Sequence, residues 1–280
     1  MKYKVQTDMI PNVAGLLPDL NNLLMELLHS LAPADWDKKT VARHWTVKDV
    51  AAHLLDGNIR VLSMLQDEYY GESFNSANES LLDFLNRINA DWVKAMKRVS
   101  PSMLILLHQA TADMYCSYYA GIDPNGISPF AVNWAGEEES TNQLHIAREY
   151  TEKWLHQQQI RDAVGNDGIM NRTYFYPFID VFMLALPYTY RDVKAEEGTI
   201  VKITIPGNIG GFWNLIRIEN KWRLNKTNTS IPASELIIDP AIAWKLFSKS
   251  IRPEDVMGQV QISGNRHLAE VALSMVSVMA

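Results

Sequence analysis

Three residues that are far apart in the chain have the types and spacing of a catalytic metal site. His53 lies in the segment HWTVKDVAAHLLDG, and Glu152 and His156 lie in REYTEKWLHQQQIRDAVG. Residues four apart share one face of a helix, so Glu152 and His156 can contact one ion, with His53 as the third ligand. Two imidazoles and one carboxylate leave a tetrahedral zinc ion one position short, and that open position distinguishes a catalytic zinc from a structural one.

The helix that carries His53 has a defined start. Thr46 has the form of an N-cap, and Asp49 follows it by three positions, so His53 falls in the second turn of the helix. An E-x3-H spacing also arises by chance, and a lone histidine on an apolar helix is more often a hydrogen-bonded core residue than a ligand. The flanking sequence therefore favours the metal interpretation, which the spacing alone does not establish.

Two other interpretations of the reactive residues remain open. His145 and Glu149 lie on nearly the same helical face as Glu152 and His156, so Glu149 is an alternative ligand. Cys116 is the single cysteine, which excludes an internal disulfide and fits a reducing compartment. It lies among Met, Tyr and Ala, where a small buried hydrophobe is the simpler interpretation than a nucleophile. Any thiol chemistry would then use a thiol supplied by a cosubstrate.

These segments resemble a known family. The stretch from Asp35 to Thr40 and the two motifs above are similar to the N-terminal domain of the mycothiol-dependent maleylpyruvate isomerases, within the wider DinB-like group of metal-binding four-helix bundles. The C-terminal segment from DPAIAWKLF to the end resembles the sterol-carrier-like second domain of the same isomerases. The resemblance covers nearly the whole chain and implies His53, Glu152 and His156 as the metal ligands. Gln159 departs from the family, where an acidic residue is common near this position.

The resemblance also implies a reaction, the cis-trans isomerisation of maleylpyruvate to fumarylpyruvate with mycothiol or an equivalent low-molecular-weight thiol as cofactor. A dianionic substrate needs a cation, which in the family comes from an arginine of the second domain. Arg217 and Arg223 are the candidates for this catalytic role, and at six positions apart in one strand-like segment they are expected to share a face. The alternatives are a DinB-like thiol S-transferase acting on another electrophile and a non-catalytic, metal-stabilised binding or regulatory protein.

The predicted fold class is α plus α+β, with a DinB-like four-helix bundle at 1–165 followed by a smaller sterol-carrier-like α+β domain at 171–280. Leucine spacing predicts a helix that begins near residue 18, and further long helices are predicted over about 46–70, 80–99 and 140–164. The stretch through residue 119 is predicted as helical or irregular. After residue 171 the pattern predicts an apolar helix, strands in TIVKITIPG, FWNLIRIENKWRLNKTN and SELIIDP, and two closing helices.

Composition limits the classes of partner. A length of 280 residues accommodates two domains, and 47% hydrophobic with 21% charged residues is the balance of a globular protein. The net charge of -6 argues against a nucleic-acid partner, which normally requires a basic surface. No segment has the form of a signal peptide or the length of a membrane span, so a cytoplasmic location is expected.

Overall fold

The computed structural model describes residues 4–42, 44–75, 77, 79–227 and 230–277, and these form two compact units. The helical unit contains Val13–Asp123 and Glu152–Gly168. The sheet unit contains the described residues within Met1–Asn12, Pro124–Thr151 and Ile169–Met279. The predicted domains are 1–165 and 171–280, whereas residues 1–12 and 124–151 belong to the sheet unit. The predicted domain bounds stay a prediction.

The helical unit is built from four helices and the second half of a fifth. The helices are α1 (Leu17–Ser30), α2 (Val47–Arg60), α3 (Leu81–Met96), α4 (Pro101–Gly121) and α5 (Asn142–Val164), which belongs to this unit from Glu152 onward. Their apolar faces form one core that includes Leu24 and Leu28 of α1, Val50 of α2 and Leu104 of α4.

One predicted helix ends earlier than expected, and the stretch predicted as helical or irregular is a helix. The helix expected over about 46–70 ends at Arg60, and Val61–Gln66 continues as a π-helical turn. The stretch through residue 119, predicted as helical or irregular, is the α-helix α4. Its start is well defined because the Ser100 side chain accepts a hydrogen bond from the Met103 amide and Pro101 occupies the first turn, where its missing N–H costs nothing.

The start of α2 follows the sequence prediction. The Asp49 amide donates to Thr46 Oγ1 at 3.3 Å, and the Thr46 amide donates to Asp49 Oδ2 at 3.1 Å, which is a complete capping box. Val47, Val50 and Ala51 are fully buried behind it. Cap and core together fix the rotation of α2 about its axis, and therefore the direction in which His53 points.

The sheet unit contains one five-stranded sheet in the order β3-β2-β1-β4-β5. Its strands are β1 (Ile200–Ile205), β2 (Gly211–Ile218), β3 (Lys221–Asn225), β4 (Ser234–Ile237) and β5 (Gln261–Gly264). Strands β1 and β4 are parallel and all other neighbours are antiparallel. The helices of this unit beyond residue 168 are α6 (Arg172–Met183), α7 (Leu186–Thr189), α8 (Pro240–Phe247), α9 (Pro253–Val256) and α10 (Arg266–Leu273).

The segment FWNLIRIENKWRLNKTN, predicted as one strand-like run, forms two strands. A two-residue turn at Glu219 and Asn220 separates β2 from β3, and both residues have positive φ, 52° and 60°. Two consecutive residues with positive φ are the signature of a type I′ hairpin turn, whose twist matches the flanking strands. Strand β5 was not predicted. Among the described residues, no helix combines the length and apolar character required to span a bilayer.

Candidate metal centre

The structure brings together the three residues that the sequence predicted as metal ligands. One ligand atom from each of His53, Glu152 and His156 lies within 4.8 Å of the others, and the cluster belongs entirely to the helical unit. The imidazole centroids of His53 on α2 and His156 on α5 are 4.6 Å apart, with the rings nearly perpendicular. Within the described part of the chain, this is the one cluster of three or more His, Cys, Asp or Glu side chains with such geometry.

Glu152 and His156 face each other on α5. Glu152 Oε2 lies 3.3 Å from His156 Nε2, across one turn of α5. A carboxylate oxygen carries only lone pairs, and so does an imidazole nitrogen without a proton, so the two atoms repel unless a proton or a metal ion lies between them. The pair is therefore suited to hold a divalent ion.

Gln159 holds His156 in the tautomer that a metal ligand needs. Gln159 Oε1 accepts a hydrogen bond of 2.9 Å from His156 Nδ1–H, which leaves Nε2 without a proton and facing Glu152. Metal-binding histidines usually donate their other ring nitrogen to an oxygen in this way. The sequence showed Gln159 only as a departure from the family pattern, but its amide oxygen orients the ring as a carboxylate would.

His53 carries a polar atom that nothing in the described structure satisfies. Its Nδ1 is buried and has no hydrogen-bond partner among the residues that the structure describes. Burial lowers the pKa of His53 well below its ordinary value, and the positive charges of Arg60 and Lys153 lower it further. The imidazole is thus neutral at pH 7 and keeps a lone pair available for a ligand.

Trp45 fixes the geometry of both imidazoles. Its ring centroid lies 4.7 Å from that of His53 and 6.2 Å from that of His156. Nothing in the sequence pattern predicted a role for Trp45 in the site. The donor set, the unsatisfied nitrogen of His53 and the packed rings together fit a divalent ion bound by His53, Glu152 and His156, with zinc as the expected metal.

Arg148 binds both members of the alternative pair, His145 and Glu149. Arg148 Nη2 donates to His145 Nδ1 at 3.0 Å and to Glu149 Oε1 at 2.6 Å. His145 is buried, and burial lowers its pKa to about 4. This residue is therefore a neutral, hydrogen-bonded histidine of the sheet unit, and Glu149 neutralises Arg148.

Cys116 is half-buried, rather than fully buried as its sequence neighbours suggested. Burial raises the pKa of its thiol, although the Lys153 charge partly opposes this effect. The Asn21 side-chain amide lies 3.9 Å from its sulfur. A thiol with a raised pKa is protonated at pH 7 and is a poor nucleophile.

Arg217 and Arg223 do not share a face of the sheet, contrary to the prediction. Arg217 pairs with Trp222, while Arg223 pairs with Ile216. Directly paired residues point to the same face and successive residues alternate, so the two arginines lie on opposite faces. The prediction was wrong because the turn at 219–220 divides the segment that had been counted as one strand.

The two arginines also differ in their contacts. The Arg217 guanidinium lies 5.7 Å from the Trp222 ring centroid, and its Nε is buried without a hydrogen-bond partner among the described residues. Arg223 is exposed and forms an ion pair of 2.8 Å with Glu219. Arg217 is consequently the more firmly oriented side chain of the two.

The role of Gln159 leads to a direct prediction about metal affinity. In Gln159→Leu the His156 ring loses the acceptor that fixes its tautomer, so the affinity for Zn²⁺ is expected to fall about 10- to 100-fold. Gln158→Leu is the matched control, because Gln158 is a buried neighbour outside the cluster. Competition with a chromogenic chelator measures both affinities. Equal affinities in the two variants would show that Gln159 does not orient the ligand.

About half of the chain matches a known protein family. The family described as Mycothiol maleylpyruvate isomerase N-terminal domain matches residues 17–161. None of the curated proteins matches the chain significantly in sequence.

Solved structures are similar over most of the chain. The crystal structure of a mycothiol-dependent maleylpyruvate isomerase has a TM-score of 0.52 at 11% identity, covering 85% of this chain and 90% of that chain. The crystal structure of a histidine mutant of such an isomerase has a TM-score of 0.51, with the same identity and coverage. A likeness at this identity shows the fold alone, and it confirms the predicted α plus α+β fold class. The solution structure of the sterol carrier protein domain 2 of Helicoverpa armigera has a TM-score of only 0.28 at 18% identity, covering 34% of this chain and 81% of that chain.

Proposed function

The chain belongs to the mycothiol maleylpyruvate isomerase family, and from this premise we propose that it is a metal-dependent enzyme that uses a low-molecular-weight thiol to isomerise a cis double bond. The observation that carries the proposal is the convergence of His53, Glu152 and His156, whose ligand atoms lie within 4.8 Å of one another. Three protein ligands leave an open position, as in catalytic metal sites.

The metal, when bound, supplies Lewis acidity that lowers the pKa of a thiol in the open position. The protein supplies the rest of the arrangement. His53, Glu152 and His156 hold the ion, Gln159 keeps Nε2 of His156 free of a proton, and Trp45 packs against both imidazoles. The protein's own thiol, Cys116, has a raised pKa, which supports a thiol brought in as cosubstrate.

The proposed reaction conserves all atoms of the substrate. The thiolate adds to the carbon of the cis double bond that is β to the carbonyl, and the electron pair of the double bond moves onto the carbonyl oxygen as an enolate. The former double bond is now single and rotates. Return of the electron pair expels the thiolate and leaves the trans isomer. The substrate of this class is maleylpyruvate and the product fumarylpyruvate, with mycothiol as the proposed thiol.

Turnover assays test this proposal against the two alternative functions. Protein loaded with Zn²⁺ is expected to convert maleylpyruvate to fumarylpyruvate with mycothiol, and to lose this activity without the thiol. A panel of electrophiles with several bacterial thiols tests for an S-transferase instead. Conversion of an electrophile to its thiol adduct, without isomerisation, would replace the proposed reaction by transfer. Inactivity in both assays, with the metal present, would indicate a non-catalytic binding protein.

A further inference from the structure

The helix α4 is apolar on two faces, and only one of them is buried. The buried face, which packs against α1 and α2, consists of Leu104, His108, Ala112, Tyr115 and Tyr119. Asp113 is the only Asp, Glu, Lys or Arg among the 21 residues of this helix. A helix that is apolar all round is typical of one that is enclosed on every side. The composition of α4 therefore predicts that its second face is also covered.

Four residues form this second face, which we call the α4 stripe: Met103, Leu106, Ala110 and Met114. Their successive spacings of three, four and four residues place them in one line along the helix. Met103, Leu106 and Met114 are 47%, 52% and 47% exposed, and Ala110 is exposed as well. Apolar side chains that are exposed singly are ordinary, but a continuous apolar stripe marks an interaction surface.

The α4 stripe is complementary to a second copy of itself. In an antiparallel pair of α4 helices, a two-fold axis near residue 108 places Met103 opposite Met114 of the second copy. The same axis places Leu106 opposite Ala110, because both pairs are centred at nearly the same point of the helix. Flexible methionine side chains adapt to each other, and a large leucine fits against a small alanine. The pattern thus satisfies the requirement that a two-fold interface be self-complementary.

The exposed charges at the two ends of α4 have opposite signs. Lys94, Lys97 and Arg98 are exposed just before its N-terminus. Asp113 is exposed in its C-terminal half, and Asp123 is exposed just after its end. An antiparallel pair brings the basic end of one copy towards the acidic end of the other, whereas a parallel pair brings like charges together. The charges therefore favour a second copy in the antiparallel orientation.

The area of this face fits a small, reversible interface. The three large side chains of the α4 stripe are each about half exposed, so the stripe offers roughly 300 Å² per copy, as large as the largest apolar patch on many monomers. The exposed residues beside it extend the contact to about 500 Å² per copy, where specific interfaces begin; these residues are Ser102, Gln109 and Ser117. We propose that α4 is a dimerisation surface, and that the α4 stripe of a second copy covers it in the antiparallel orientation. This proposal is independent of the proposed function, because no residue of the α4 stripe belongs to the metal cluster.

Sedimentation velocity of the full chain tests the dimer. Between about 1 and 100 µM, the weight-average mass of wild type is expected to rise from 31.8 kDa towards about twice that value. Leu106→Glu is expected to weaken dimerisation about 100-fold or more, because the charge enters a symmetric apolar interface twice. Ile231→Glu is the matched control, since Ile231 is 94% exposed and lies in the sheet unit, and it is expected to dimerise as wild type does.

Disulfide formation between copies tests the orientation and does not depend on the Glu variant. Met103→Cys and Met114→Cys are prepared separately in a Cys116→Ser background and oxidised by air with copper phenanthroline as catalyst. Because residue 103 lies opposite residue 114 of the second copy, a disulfide-linked dimer is expected from the mixture and not from either variant alone.

Three results would overturn the proposal. The first is a wild-type protein that stays monomeric at about 100 µM, the upper end of the range over which weak specific dimers form. The second is a dimer that Leu106→Glu leaves unchanged, because another surface would then hold the copies together. The third is a disulfide-linked dimer from Met103→Cys alone, because the two helices would then be parallel.

Discussion

Purified wild-type protein is expected to contain about one divalent ion per chain, and His156→Ala is expected to contain none. The physical reason is that His156 supplies the nitrogen that faces Glu152 at 3.3 Å, so its removal leaves only two ligands, His53 and Glu152. Two protein ligands on different helices bind Zn²⁺ too weakly to retain it on dilution or in the presence of a chelator. Metal analysis by inductively coupled plasma mass spectrometry, after extensive dialysis, measures the content directly.

His267→Ala is the control for this experiment, because His267 is exposed and lies outside the cluster. This variant is expected to keep the full metal content. Thermal unfolding with and without Zn²⁺ gives a second measure, since an ion that binds only the folded state raises the unfolding temperature of wild type but not of His156→Ala. A wild-type protein without metal, and with no response to added Zn²⁺, would contradict the assignment of the site.

The parts of the site that the sequence predicted are those set by local patterns. The capping box of Thr46 and Asp49 and the four-residue spacing of Glu152 and His156 both act within one helix, so each is visible in a short stretch of sequence. The meeting of His53 with this pair depends on the packing of α2 against α5. The spacing alone is compatible with this proximity, and the resemblance to a family is the reason to expect it.

The features that were missed depend on contacts between distant segments. Lys153 is a charged residue in the middle of a helix, a pattern typical of a solvated face, but it is buried. Its acceptors, Leu54 and Asn58, are more than 90 positions away in the sequence, at separations of 99 and 95. Gln159 stands out in the sequence only as a departure from the family's acidic residue, because the sequence does not show that its amide oxygen accepts from His156.

The hairpin turn between β2 and β3 shows how a weak turn signal in the sequence leads to a wrong prediction of the sheet face on which an arginine lies. Type I′ turns favour Asn-Gly or Gly-Gly, and Glu219 with Asn220 gives only half of that signal. The strand pattern is therefore continuous in the sequence, and it predicts that the two arginines share a face. With the turn in place, the register puts Arg217 beside Trp222 and Arg223 beside Ile216.

This register leads to the second prediction, that only one of the two arginines contributes to activity. We propose Arg217 for the substrate carboxylates, because its guanidinium lies over Trp222 and is half-buried, whereas Arg223 is exposed and already paired with Glu219. Arg217→Met is expected to lower kcat/KM for the dicarboxylate by about 100-fold or more, the usual cost of removing a charged partner from a desolvated carboxylate. Steady-state kinetics with a saturating thiol measures this change.

Arg223→Met is the matched control, since it removes the same side chain from the opposite face of the same hairpin. Its kcat/KM is expected to stay within about 2-fold of wild type, because exposed ion pairs contribute little. Metal content and thermal unfolding of both variants distinguish a loss of substrate binding from a loss of structure. If Arg217 binds the carboxylates, a monoester of the substrate, which carries only one carboxylate, loses less rate in Arg217→Met than the dianion does. An equal loss for both substrates would mean that Arg217 acts through the packing of Trp222, and a large effect of Arg223→Met alone would assign the role to Arg223 on the opposite face of the sheet.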